Sequence, residues 1–168
     1  VDHGLQPAAH DFRRQARRIA RDARVSFRVL EARVTVGRSD STEEVAREAR
    51  YAALRTALRP GELLLTAQHA DDQLETVLLA LMRGAGPAGL AGMAAVATFG
   101  AGLLVRPLLG ETRAGLRSIA ESAGLSWVED PSNESVRFNR NYLRREVLPA
   151  LRSRWPYPSS CCRSTTSR

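Results

Sequence analysis

An apolar run that ends in a short polar turn and then opens an acid-rich helix constrains this chain more than any other feature. Residues 63–82 read LLLTAQHADDQLETVLLALM. The leucine run has β character, and Asp71 or Asp72 can cap the helix that follows, because unpaired N–H groups and the helix dipole favour negative charge there. Asp72 and Glu75 are three residues apart, so both point from one helix face. This pattern is typical of a site at the carboxyl ends of strands in an open α/β sheet.

The carboxylates of this helix allow two interpretations. Two carboxylates on one face suit a magnesium ion or the ammonium group of a substrate. The plainer interpretation is an acid-rich first turn that only complements the helix dipole. The segment by itself leaves both interpretations open.

The charge of the chain favours an anionic partner. The formal net charge is +7, the pI is about 10.8, and all 25 basic residues are arginine, which favours nucleic acid as the partner. Residues 1–38 hold nine arginines and four acids, residues 39–136 eight and thirteen, and residues 137–168 eight and one. An acidic centre between basic ends fits a small-molecule site bordered by polyanion-binding surfaces. Ordinary solvated helix faces explain the first basic segment well and the last one less well.

Length and cysteine usage limit the class of protein. A chain of 168 residues suggests one domain, and 43% hydrophobic residues can form a real core. The two cysteines, Cys161 and Cys162, are adjacent and provide neither metal-ligand spacing nor a disulfide framework. The sequence shows no signal peptide and no apolar run of membrane-spanning length, so we expect a soluble cytoplasmic protein without a membrane partner.

Periodicity and capping signals predict alternating strands and helices. The predicted helices cover residues 12–23, 41–58, 72–82, 112–123 and 139–151, and the predicted strands cover residues 25–30, 63–65, 103–109 and 126–128. Residues 83–92 are glycine-rich and are predicted to form a loop. This alternation predicts an α/β fold, with a parallel sheet and helices on both faces. Residues 157–168 lack periodicity and are predicted to be a disordered or artefactual tail after a domain at 1–156.

Seven short motifs stand in a fixed order along the chain. They are VDHGL at 1–5, EEVAREARY at 43–51, ADDQLET at 70–76, RGAGPAGLAGM at 83–93, RPLL at 106–109, EDPSN at 129–133 and RNYLR at 140–144. Each is weak alone. The ordered set, which spans residues 1–156, closely resembles the tRNA(Ile)-lysidine synthetases, bacterial ligases of the PP-loop ATP-pyrophosphatase superfamily.

The resemblance implies an adenine nucleotide alpha hydrolase-like fold and a specific reaction. Enzymes of this family use ATP to adenylate the C2 oxygen of the wobble cytidine in a tRNA(Ile) with a CAU anticodon. The ε-amine of free L-lysine then displaces AMP. Magnesium would neutralise charge on the triphosphate. The implied cofactors are therefore ATP and Mg²⁺, and the implied partners are this tRNA and lysine; a homodimer stays open.

The resemblance also assigns roles to residues. Asp71, Asp72 and Glu75 match catalytic positions, of which Asp72 and Glu75 would bind lysine and Asp71 would bind a metal ion or cap the helix. Asp2, His3 and Gln68 match positions that border the nucleotide. Positions around the tRNA substrate are matched by Arg83, Arg106, Arg137, Arg140, Asn141 and Arg144.

The chain departs from the family pattern in two places. The family carries histidine at the position of Gln68, which can form hydrogen bonds but cannot be cationic. The phosphate-binding loop Ser-Gly-Gly-x-Asp-Ser and the first, central strand of the family fold lie upstream of VDHGL and are absent here. We therefore expect a partial catalytic domain that is inactive alone. Two alternatives are a tRNA thiolase of the same superfamily, which usually needs cysteines in its core, and a non-catalytic RNA-binding remnant.

Overall fold

A computed structural model of the protein describes residues 1–2, 9–32 and 42–155. The predictions for His3, for the start of a helix at residue 41 and for a tail at 157–168 lie outside the described residues. None of the helices in the described part of the chain is both long enough and apolar enough to cross a membrane.

Helices dominate the described residues. The α-helices are α1 (Ala9–Asp22), α2 (Thr42–Ala57), α3 (Ala70–Met82), α4 (Pro87–Leu90), α5 (Arg113–Ser122), α6 (Asn139–Tyr142) and α7 (Leu148–Arg154), and the strands are β1 (Leu63–Leu65), β2 (Val96–Phe99) and β3 (Gly102–Val105). A 3₁₀ turn covers Pro131–Glu134, and a π-helical segment, Leu143–Val147, joins α6 to α7.

The three strands form one sheet in the order β1-β3-β2. Two hydrogen bonds join β1 to β3, from Leu103 N to Glu62 O at 3.3 Å and from Thr66 N to Val105 O at 3.0 Å. Residue numbers rise together across these bonds, so β1 and β3 are parallel. Two residues connect β2 to β3, which allows only an antiparallel hairpin. The described sheet is thus mixed, so the prediction of a parallel sheet holds for β1 and β3 but not for β2, which was not predicted as a strand.

The chain divides into two compact units, and the first comprises Val1–Leu63 and Thr98–Leu103. Its helices are α1 and α2, and its buried apolar residues include Ala20, Ala32 and Phe99. The prediction of a strand at 25–30 was wrong, because this segment forms no strand and only the neighbouring Glu31 makes an isolated parallel bridge, to Asp2.

The second unit comprises Leu64–Ala97 and Leu104–Arg168, of which residues 64–97 and 104–155 are described. Its buried apolar residues are Ala70, Leu74, Ala80, Leu104, Leu109, Leu143 and Leu148. Two details differ from prediction. Residues 126–128 form no strand, and the glycine-rich loop contains the short helix α4, whose first residue is a proline suited to that position.

Candidate active site at the start of α3

The first turn of α3 is held by a reciprocal cap. Nδ1 of His69 accepts a hydrogen bond from Asp72 N at 3.3 Å, and the carboxylate of Asp72 accepts one from His69 N at 3.1 Å. This is a capping box with histidine at the capping position. Capping by Asp71 or Asp72 was therefore a wrong prediction; Asp72 instead completes the box from the third helical position.

Asp71 is almost buried and connects three parts of the second unit. Its Oδ2 accepts a hydrogen bond from the backbone N of Arg113 at 2.7 Å, and its Oδ1 pairs with the guanidinium of Arg152. Burial alone would raise the pKa of Asp71, but the Arg113 N–H and the Arg152 charge outweigh it and hold the pKa below its ordinary value. The Asp71 carboxylate is therefore anionic and fixed in place.

Glu75 lies one turn further along α3 and is fully buried. Nε and Nη2 of Arg144 donate to its two carboxylate oxygens at 2.8 and 3.1 Å. This two-point arrangement is the strongest geometry open to an arginine and a carboxylate. Nη1 of Arg140 lies 3.8 Å from the same carboxylate. Two cations from the C-terminal helices thus converge on one buried acid.

Asp72 and Glu75 share a helix face, as predicted, because the same guanidinium contacts both. Nη2 of Arg144 lies 3.8 Å from Oδ1 of Asp72. Burial would lower the pKa of Arg144, but the hydrogen bond to Glu75 and the nearby acids raise it above its ordinary value. Of the two acids that match lysine-binding positions, Asp72 keeps a partly exposed side chain, whereas Glu75 is fully occupied.

The other residues assigned to tRNA differ in exposure. Arg140 donates to Thr76 Oγ1 at 3.2 Å, and the buried Asn141 donates to Ser135 O at 2.8 Å. Arg106 is buried and donates to Ala94 O at 2.6 Å. Arg83 and Arg137 are exposed. Their roles toward tRNA stay predictions.

The residues assigned to ATP do not all belong to the same unit of the chain. Gln68 accepts a hydrogen bond from Thr66 Oγ1 just before α3, in the second unit. Asp2 belongs to the first unit, where its carboxylate pairs with Arg13. His3 lies outside the described residues. A nucleotide role for these three residues stays a prediction.

Sequence reasoning missed a polar clamp beside the acids. Nε2 of Gln73 donates to Met93 O at 3.0 Å, while its Oε1 accepts from Met93 N at 2.7 Å. Gly92 has a φ of +70°, and a Cβ there would lie 2.8 Å from Oε1 of Gln73. The end of the glycine-rich loop is thereby fixed against α3. The sequence signal was the glycine itself, but nothing in it pointed to Gln73.

The carboxylates do not form a metal site in the described residues. No group of three or more His, Cys, Asp or Glu side chains among them is placed to hold an ion. Asp71 is already satisfied by an N–H and an arginine, and Glu75 by Arg144. The donor set as described therefore suits cationic side chains or an ammonium group better than Mg²⁺, and the metal role of Asp71 stays an untested prediction.

Comparison with known protein families shows which family the chain belongs to. The PP-loop domain model matches residues 1–151. The chain belongs to the PP-loop domain family. A PP-loop domain has the adenine nucleotide alpha hydrolase-like α/β fold, which confirms the predicted fold class at this level. Whether this PP-loop domain lacks its first strand and phosphate loop stays a prediction.

The individual relatives described below are all named tRNA(Ile)-lysidine synthase. The chain is 51% identical over 156 residues to a tRNA(Ile)-lysidine synthase of Pseudomonas aeruginosa, an alignment that covers 93% of the chain and 35% of the relative. It is 48% identical over 156 residues to that of Methylococcus capsulatus, covering 93% and 36%, and 46% identical over 165 residues to that of Vibrio atlanticus, covering 98% and 36%. The chain spans about a third of the length of these curated relatives.

Proposed function

We propose that this chain is the catalytic part of a tRNA(Ile)-lysidine synthase. The enzyme would ligate lysine to C2 of the wobble cytidine of a CAU-anticodon tRNA(Ile) at the expense of ATP. The observation that carries this proposal is the agreement of two lines of support. Relatives named for this activity are about half identical over nearly the whole chain, and clustered carboxylates stand on one face of α3, where the reaction needs a cation site.

Lysine recognition is the step that the geometry supports best. A lysine substrate presents ammonium groups, and a carboxylate in a partly buried site binds such a group with charge-assisted hydrogen bonds. Oδ1 of Asp72 is available for this, since its distance to Arg144 is as long as 3.8 Å, whereas Oδ2 accepts a hydrogen bond from His69 N. Glu75 could take part only after Arg144 moves from its two hydrogen bonds. We therefore assign Asp72 the direct contact with the lysine substrate. Glu75 would contact the substrate only if its ammonium group replaces the guanidinium of Arg144.

The chemistry of the ligation sets a second requirement. The attacking ε-amine must be neutral when its N–C2 bond forms, the C2–O bond breaks and AMP leaves with the bonding pair. Asp72, close to the fixed anion of Asp71, would first bind the ε-ammonium group; this group would then lose one proton to solvent, and the neutral amine would attack C2. ATP would supply the adenylyl group, and Mg²⁺ would neutralise its phosphates. Exposed arginines such as Arg137 would contact the tRNA, because a guanidinium can bind phosphate or stack on a base.

A lysidine-formation assay tests the proposal. The gene product that contains residues 1–168 would be incubated with ATP, radiolabelled lysine and a CAU-anticodon tRNA(Ile) transcript. We expect ATP-dependent transfer of label to this transcript and none to a matched transcript with a GAU anticodon. Binding of RNA without lysine transfer would instead identify a non-catalytic remnant, and sulfur transfer would identify a thiolase; the chain's two cysteines, at 161 and 162, do not favour the latter.

A further inference from the structure

The aromatic residues of the two units differ in exposure. In the first unit the described aromatic side chains, Phe12, Phe27, Tyr51 and Phe99, are buried or half-buried. In the described part of the second unit every aromatic side chain is exposed, from 39% for Phe138 to 61% for Trp155. Aromatic side chains normally contribute most when buried. An exposed set in a chain with only 5% aromatics therefore points to a binding surface.

Phe138 and Tyr142 form the best-defined part of this set. The amide of Tyr142 donates to Phe138 O at 2.9 Å, so the two residues are one helical turn apart at the start of α6. Their exposed fractions are 39% and 51%. Phe138 is the N-cap residue of α6 and has extended backbone angles, and Tyr142 is the last residue of this short helix. Two exposed rings thus stand at the two ends of α6.

The same stretch of helix turns polar side chains inward. Asn141 is buried and bonded to Ser135 O, and Arg144 reaches the buried Glu75. The stretch otherwise resembles an ordinary surface helix, since it buries Leu143 and exposes Arg145. What distinguishes the Phe138–Tyr142 face from scattered surface hydrophobic residues is that two rings one turn apart are exposed while neighbouring polar groups are buried.

The charge around the two rings specifies the partner. Arg137 precedes Phe138 and is exposed, and Arg145 is exposed and donates to Glu134 O at 3.2 Å. Residues 137–154 contain six arginines and a single acid, Glu146. Exposed rings between arginines are the combination that binds single-stranded nucleic acid, in which bases stack on rings and phosphates pair with cations.

We infer that Phe138 and Tyr142 form a stacking surface for unpaired RNA bases, with Arg137 and Arg145 at its edges holding the adjacent phosphates. The inference rests on the proposed function for the identity of the RNA, which would be the anticodon loop. The stacking itself does not depend on the proposed function, since the bases of any unpaired loop offer the same π-faces. Trp127 is a less suitable member, because Arg117 already stacks on its ring at 5.4 Å.

The test compares loop binding with duplex binding. A double variant, Phe138→Leu with Tyr142→Leu, keeps apolar bulk but removes both π-faces. A stacked base is worth about 1–3 kcal/mol, which corresponds to about fivefold to 150-fold in affinity. We expect at least this loss for an RNA hairpin with a CAU loop, and no change for an RNA duplex of matched length. The matched control Tyr142→Phe retains the ring and should bind the hairpin like the parent protein.

Every other outcome of the binding test either supports or overturns the stacking surface. Unchanged hairpin binding in the double variant would overturn it, and lysidine formation by the same preparation would show that the proposed function survives. A lowered melting temperature would also overturn it, because the face would then pack against another part of the protein or a second copy. Ring-dependent binding of hairpins with any loop sequence, without lysidine formation, would support the stacking surface and reject the proposed function.

Discussion

Arg144 reaches the fully buried carboxylate of Glu75 through two parallel hydrogen bonds, although 69 positions separate the two residues in the chain. The pair joins the start of α3 to the π-helical segment that follows α6. Single π-helical turns inside helices are frequent at functional sites. The pair holds a protein cation beside the acids to which the proposed function assigns the substrate cation, so in that proposal the acid that stabilises the protein would also take part in lysine binding.

Breaking this pair should destabilise the protein strongly. Arg144→Ala leaves Glu75 buried and without its two-point partner, and loss of one member of a buried pair costs about 3–5 kcal/mol. We expect about 3 kcal/mol, the low end, because a quarter of the Arg144 side chain is exposed. Urea unfolding measures the change. The matched control is Arg14→Ala, which breaks an exposed pair with Asp11 and should cost less than about 1 kcal/mol. Equal losses in the two variants would contradict this account.

Substitutions of Asp72 and Glu75 should have different effects in a kinetic assay of the gene product that contains residues 1–168. Asp72→Asn removes the partly exposed carboxylate, and a charge-assisted hydrogen bond is worth about 1.5–3 kcal/mol, so the lysine KM should rise about tenfold to hundredfold. The KM for ATP should stay nearly constant. Glu75→Gln should also lower the melting temperature, because it weakens the bonds from Arg144. If Asp72→Asn abolishes adenylate formation and leaves the lysine KM unchanged, the carboxylate serves a metal ion instead.

The depressed pKa of Asp71 predicts a definite pH dependence of stability. A carboxylate that is more acidic in the folded state stabilises the protein above its unfolded pKa, about 4, and this stabilisation is lost as the pH falls through the folded pKa. We compare the melting temperatures of the parent protein and Asp71→Asn. The advantage of the parent should be constant from about pH 7 to 5 and should shrink below about pH 4. If the difference in melting temperature stays constant or grows below about pH 4, the Asp71 carboxylate does not stabilise the folded protein in the way predicted.

The sequence predicted elements whose signals are local. Thr112 caps α5 by accepting a hydrogen bond from Gly115 N at 3.1 Å, and Gly124 follows the helix with a φ of +62°, as its position indicated. The shared face of Asp72 and Glu75 also followed from spacing alone. The partners of these acids did not, because Arg144 and Arg152 come from distant segments that no periodicity relates to α3. The hairpin of β2 and β3 was missed because residues 96–99, which form β2, are too short a segment to predict a strand from alternation.

Gly92 should tolerate alanine less well than Gly84 does. Both have a φ near +70°, where a side chain costs about 1–2 kcal/mol. A Cβ at Gly84 meets nothing within 4 Å, whereas at Gly92 it would lie 2.8 Å from the Gln73 amide that holds Met93. Gly92→Ala should therefore lower the free energy of unfolding more than Gly84→Ala, which isolates the clash from the backbone strain. In a Gln73→Ala background the difference between the two glycine variants should disappear; a persistent difference would mean that Gln73 is not its cause.

Exposed and internal arginines should affect RNA binding in different ways. Arg137 is exposed, whereas Arg144 is committed to Glu75. Each phosphate contact to single-stranded RNA contributes about 0.7 to the slope of log affinity against log salt. Arg137→Ala should make this slope shallower by about that amount and leave the melting temperature unchanged, and Arg137→Lys, which keeps the charge, should preserve the slope. Arg144→Ala should lower the melting temperature and leave the slope unchanged. Filter binding across salt concentrations, paired with thermal unfolding, measures both quantities.

A shallower slope for Arg144→Ala would show that this arginine leaves Glu75 to contact phosphate when RNA binds. An unchanged slope for Arg137→Ala would remove Arg137 from the RNA interface.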